Sequence, residues 1–240
     1  MKWLKMWFLV ILILLINIKS YPQAMLKSGG LNEDNSNIKV VDKIYKSKNN
    51  YLDINVIIPQ LTGMSDKKQE DLVNDKIIKW TENWINEVKQ TADEYFKDKT
   101  APLMPYQLYA RYKLTNNSDI ISFYIDYYQF SGGAHGITNR IAYNIEESTG
   151  MEMQLKDIFK GDYKDVINKE ISKQISKDPD RYFTGKDGFN GIGDNQNFYI
   201  KNSKLVIYFG LYEIAPYASG ISEFIIPNNI IEGNFKYGKM

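Results

Sequence analysis

Apolar and polar positions divide the chain into a leader and a folded part. Lys2 and Lys5 precede an uninterrupted apolar run over 6–16, followed by Asn17, Ile18, Lys19 and Ser20. A basic start with a short apolar core is the pattern of a secretory signal peptide, whereas a spanning helix wants about 20 apolar residues. The run predicts a signal peptide over 1–24, cleaved after Ser20 or Ala24, with an uncleaved signal anchor as the alternative. No Cys follows it, so lipoprotein attachment is excluded. The Gly/Asn/Ser-rich stretch 25–37 reads as a linker.

Beyond the linker the patterning alternates between the two periods of regular structure. Residues 38–45 and 51–59 read as strands around a polar turn at 47–50, the second with Leu52, Ile54, Val56 and Ile58 alternating with Asp53 and Asn55. A long helix is expected next, capped by Ser65 or Asp66, with Gln69 closing a capping box. Val73, Ile77, Trp80, Trp84 and Val88 step by three or four onto one face, so the two tryptophans are read as core. After the break at 101–105, strands are expected over 106–114 and 120–130, with Thr115-Asn116-Asn117-Ser118 as their turn. Further strands end at Ile145 and cover 151–155, with 147–150 as a turn. A second helix is expected from Asp162, with Ile167, Ile171 and Ile175 on its buried face. Strands over 198–200 and 205–214 flank a turn at 201–204, and 222–226 forms the last strand. The order predicts an α+β fold of largely antiparallel sheets with two main helices in two sequential lobes, 38–147 and 151–232.

Composition narrows the chemistry. The 240 residues are 43% hydrophobic and 25% charged, enough for a core and too little charge for general disorder. The net charge of +1 becomes −2 if residues 1–24 are removed, which offers no footprint for nucleic acid. With no Cys and one His, thiol catalysis, Cys-based metal sites and paired-His centres are excluded. No G-x-S-x-G elbow, P-loop or dinucleotide fingerprint is present; the string GFNGIG at 188–193 reads as a surface loop. A carboxylate pair leaves no fixed spacing, so a hydrolase site stays open as an alternative, with Glu213 and Glu223 as acids flanking the Pro216 loop. No cofactor is expected.

Two loops carry the candidate recognition residues. Ser131-Gly132-Gly133-Ala134-His135-Gly136 has three glycines that permit a tight turn, and Ala215-Pro216-Tyr217-Ala218-Ser219-Gly220 combines a fixed φ with an amphipathic ring. Loops on a rigid scaffold are where binding residues concentrate. Ser131, His135, Pro216 and Tyr217 are therefore the candidate partner-binding residues, with fold-determining turns as the bland reading of the same motifs.

These strings also carry a family resemblance. Tyr127-Tyr128-Gln129-Phe130 leading into SGGAHG, Tyr143-Asn144-Ile145 with Thr149-Gly150, Leu155-Lys156-Asp157-Ile158-Phe159, and YEIAPYASG at 212–220 followed by Phe224-Ile225-Ile226-Pro227 are similar to one bacterial family. It is the paired extracytoplasmic domains of unknown function of RsiV-type lysozyme-sensing anti-sigma factors, found also before the catalytic domain of PdaC-type peptidoglycan deacetylases. The resemblance runs from about Ile38 to Ile231. Deacetylases of this type carry a further domain whose metal site needs a His pair, which one His cannot supply. Anti-sigma factors of this type have a cytoplasmic segment before the membrane helix, for which a run beginning at residue 6 leaves no room. The resemblance implies an exported, non-catalytic binding or sensing module of the cell envelope, secreted or membrane-anchored. Its implied partner is a protein such as lysozyme or the peptidoglycan itself, with membrane contact only through an uncleaved anchor.

Overall fold

The computed structural model describes residues 38–98 and 104–237, and the predicted leader and linker lie outside these. The described residues fall in one compact unit. Two sheets organise it. The first has five strands in the order of the chain: β1 (Lys39–Lys48), β2 (Leu52–Thr62), β3 (Tyr106–Asn117), β4 (Ile120–Phe130) and β5 (Ile137–Glu146). The second has three: β6 (Phe198–Lys201), β7 (Lys204–Phe209) and β8 (Ser222–Ile226). The helices are α1 (Lys67–Phe96), α2 (Lys164–Ile175) and the four-residue α3 (Asn228–Ile231). The fold is α+β and mainly antiparallel, as the patterning predicts.

One pair departs from that rule. β2 and β3 run parallel, Leu52 opposite Tyr106 and Val56 opposite Ala110. The 30 residues of α1 return the chain to the end from which β2 began, so β2–α1–β3 is a crossover unit of the kind parallel strands require.

Helix α1 begins where its cap was expected. The Asp66 carboxylate accepts from the amides of Lys68 and Gln69 at 2.9 and 3.2 Å, satisfying two of the helix's orphan donors. Glu70, not Gln69, reaches back, accepting from the Met64 amide at 3.0 Å. Val73, Ile77 and Val88 are buried against β2–β4, and Trp80 and Trp84 pack over the same core. The Trp80 ring centroid lies 4.2 Å from that of Tyr127, and Thr81 shares a 2.9 Å hydrogen bond with the Tyr127 hydroxyl. Each large side chain fully buried here contributes roughly 1.5–3 kcal/mol. Ile77 is fully buried, so its truncation to Ala would most directly loosen the helix.

The second sheet has a separate core built on Ile167 and Ile171 of α2, Leu205 and Ile207 of β7 and Phe224 and Ile226 of β8. The β6–β7 hairpin turns on Asn202 and Ser203, with φ of 46° and 60°. This left-handed pair is the I′ geometry that matches strand twist.

Three expected boundaries are corrected. Thr115, Asn116 and Asn117 belong to β3 rather than to a turn, across a bulge between Leu114 and Asn116; Thr115 and Asn116 are buried because they bond the β6–β7 turn, through Asn202 and Ser203. Residues 151–155 make a single bridge, Ile145 with Glu152, because the Gln154–Asp157 cap then coils the chain into a 3-10 turn. Strand β7 stops at Phe209, where a turn over Gly210–Glu213 diverts it. Among the described residues no helix is long and apolar enough to cross a membrane.

Candidate functional site

The two candidate loops meet. Ser131–Gly136 joins β4 to β5, and its backbone reverses through Gly132 and Gly133 at φ +89° and +91°, a region that L side chains rarely adopt. Gly136 is buried, and a Cβ there would overlap the Tyr128 ring. The second loop enters through Pro216 at φ −66° into a 3-10 turn over Tyr217–Ser219, and leaves through Gly220 at φ +71°. It is pinned from behind: Ser219 Oγ donates to the Arg181 carbonyl at 2.9 Å, and Arg181 Nη2 returns to the Ser219 carbonyl at 2.8 Å.

Across this gap Tyr217 donates its hydroxyl proton to the Gly136 carbonyl at 2.8 Å, over a sequence separation of 81 residues. The His135 ring lies 3.9 Å from the Tyr217 ring, nearly parallel to it. His135 Nδ1 is 3.0 Å from the same Gly136 carbonyl. A carbonyl only accepts, so Nδ1 is the donor in this contact. Two exposed or half-exposed rings are thereby fixed face to face.

The other two candidates lie on the same loops in different roles. Ser131 is exposed and accepts from Gln129 Nε2 at 2.9 Å, while Gln129 Oε1 accepts from Trp84 Nε1 at 2.9 Å. It is thus tied to α1. Pro216 is exposed and sets the entry angle of the Tyr217 turn.

Neighbours that the patterning did not single out complete the face. Tyr212 is half-exposed with its ring centroid 5.8 Å from that of Tyr217. Ile137, just after the first loop, is also half-exposed. No turn residue announces Tyr212: it occupies a left-handed position where glycine or asparagine would be the signal.

Beside the face sits a charged cluster. Arg140 Nε and Nη2 grip the Asp126 carboxylate at 2.6 and 2.8 Å, Nη1 reaches Glu223, and the guanidinium lies 3.7 Å over the Tyr124 ring. Burial would lower the Arg140 pKa; the bonded Asp126 carboxylate outweighs it, with Tyr124 and Glu223 adding to the rise. Of the two acids flanking the Pro216 loop, Glu223 is therefore held by Arg140, and Glu213 accepts from the Gly210 amide at 2.7 Å. Among the described residues no three metal-ligating side chains gather into a possible metal site.

The chain matches two family models in succession. Residues 45–138 match the family described as deacetylase PdaC, and residues 156–229 match a family of unknown function, DUF3298. It is 29% identical over 214 residues to the anti-sigma-V factor RsiV of Bacillus subtilis (strain 168), covering 82% of this chain and 73% of that protein. Its fold is similar to a solved DUF3298 family member from Bacteroides fragilis, with TM-score 0.61 at 20% identity over 86% of this chain and 96% of that one. A DUF3298 family protein from Pseudomonas aeruginosa PAO1 gives 0.54 at 17% identity, over 85% and 95%. His135 lies in the first matched segment and Tyr217 in the second, so their contact joins the two. The chain thus matches the PdaC model over 45–138 and the DUF3298 model over 156–229, one after the other.

Proposed function

We propose that this protein is an extracytoplasmic, non-catalytic binding module of the sensing type, and that its partner docks on the face formed by His135, Tyr217, Pro216 and Ser131. The observation that carries the reading is the Tyr217–Gly136 bond with its stacked His135. Two loops from different sheets are locked together, and the lock presents rings outward. A face whose geometry is set before binding avoids the ordering cost of docking, and Tyr is enriched at such surfaces. Similarity to an anti-sigma factor supports a sensing role. The partner we favour is a protein such as lysozyme, with peptidoglycan as the second ligand, and the location is outside the cytoplasm, secreted or anchored.

The hydrolase alternative loses one of its two flanking acids, since Glu223 is paired with Arg140. The test is a pull-down with purified lysozyme and with insoluble peptidoglycan, using the native chain, His135→Ala and Tyr217→Ala. Truncating Tyr217 is expected to cost about 2 kcal/mol of affinity or more, as for an interface anchor, with melting curves showing an intact fold. Undiminished capture by both folded variants would leave the loops as architecture. Turnover of a wall fragment would replace this reading with the hydrolase.

A further inference from the structure

Next to this face, the 3-10 turn over Gly185–Asp187 and the turn over Gly210–Glu213 border a shallow open groove of about 500 Å³, lined by Phe183 and by the exposed Lys186, Asp187, Tyr212 and Glu213. Its walls are built rigid. The Phe183 amide donates to the Ile214 carbonyl at 2.9 Å, which ties one wall to the other. Asn190 Nδ2 reaches the carbonyls of Gly185, Lys186 and Gly188 at 3.3, 3.1 and 2.8 Å. Gly188 backs so closely on the Phe183 carbonyl that any side chain would overlap it. The opposite wall is closed by Glu213, whose amide donates to the Gly210 carbonyl at 3.2 Å while its carboxylate accepts from the Gly210 amide at 2.7 Å.

Tyr212 stands within that turn at φ +65°. This is a glycine conformation, and a ring-bearing residue there is strained. The strain is not offset by burial, because half of Tyr212 remains exposed. Glycine would suit the backbone better; what tyrosine adds is a half-exposed ring at the edge of the groove, beside that of Tyr217.

We infer that this groove is a saccharide site that takes a pyranose chain. An exposed aromatic face suits the apolar C–H face of a sugar ring, the Asp187 and Glu213 carboxylates accept from hydroxyls, and the Lys186 ammonium donates to them. Two carboxylates against one ammonium disfavour a phosphate or other anion, and an open groove lets a chain pass through. The site adjoins the His135–Tyr217 face, the Tyr212 and Tyr217 ring centroids being 5.8 Å apart, and the proposed envelope location supplies only the choice of probe.

The experiment titrates chitotetraose and cellotetraose into the full chain, read by calorimetry and by saturation transfer from the protein to the sugar. Saturable binding of either sugar is expected, and binding of chitotetraose alone assigns the site to acetamido sugars. Tyr212→Gly is expected to weaken binding about tenfold or more while the melting temperature stays level or rises. Tyr212→Asn, which also tolerates the left-handed region, repeats the measurement. The inference is overturned if neither sugar saturates, if Tyr212→Gly binds as the native chain does, or if both variants melt markedly lower. Protein capture undiminished in both His135→Ala and Tyr217→Ala would overturn the docking face, whereas sugar titration of His135→Ala, which keeps Tyr212 and its Tyr217 contact, reads this site separately.

Discussion

Ser122 of β4 accepts the Ile200 amide of β6 at 2.8 Å, so a side chain from the middle strands of the larger sheet completes the outer edge of the smaller one. The same hydroxyl donates to Asn144 Oδ1 at 2.7 Å, and Asn144 Nδ2 donates to the Phe198 carbonyl at 2.9 Å. Ser122 and Asn144 are buried. An open strand edge is a template for unwanted pairing; here it is spent on joining the two sheets, and that junction is what brings Tyr217 to Gly136.

Ser122→Ala leaves the Ile200 amide and the Asn144 amide oxygen without that partner inside the junction. An unsatisfied buried group costs about 1–3 kcal/mol, so the variant is expected to lose that much stability. Urea unfolding measures it, with the slope unchanged if the transition stays two-state. A loss within the noise of a surface substitution would show that the junction rests on packing alone.

A fragment spanning 38–147 contains the first core but loses β6–β8, which cover Tyr124, Ala142 and the Ser122–Asn144 pair. It is expected to unfold without a cooperative transition in denaturant. A sharp, reversible transition would instead make the two proposed lobes independent folding units.

Gly136→Ala places a methyl group into the Tyr128 ring. Overpacking of this kind costs typically 1–3 kcal/mol, and the carbonyl that receives Tyr217 and His135 must move with it. Both the melting temperature and partner capture are expected to fall. Retention of partner capture alone would show that the docking face does not depend on this carbonyl.

Acid stability carries a further expectation. The Lys67 ammonium beside Glu70 holds its carboxyl below the usual carboxylate range, burial opposes this, and the Met64 amide reinforces it. A carboxyl lowered in the folded state stabilises the fold above its unfolded value, about pH 4.3, and that contribution is lost as pH falls through the folded value. Glu70→Gln is therefore expected to be less stable at pH 7 and to lose less between pH 5 and 3. Parallel urea midpoints for the two proteins over this range would remove Glu70 from the account.

Local pattern determined a good part of the molecule. The period-2 alternation of Leu52 to Ile58 placed β2, the steps from Val73 to Val88 placed the buried face of α1, Asp66 marked its start, and Asn202-Ser203 marked the hairpin turn. These features were legible because each depends on residues a few positions apart, whose exposure and backbone preference are written in consecutive side chains. The glycines of 131–136 and Pro216 likewise identified two constrained loops. Tertiary structure alone decided what those loops do to each other. The parallel pairing of β2 with β3 follows from where α1 lands. Thr115 and Asn116 look like turn residues because the polar groups that favour turns are also those that satisfy a neighbouring sheet's open edge. Tyr212 carries no turn signal because its left-handed backbone is imposed by the bonds between Gly210 and Glu213. The bond from Tyr217 to Gly136 spans 81 residues; it exists only once two separately built sheets dock, and no periodicity within either one encodes that contact.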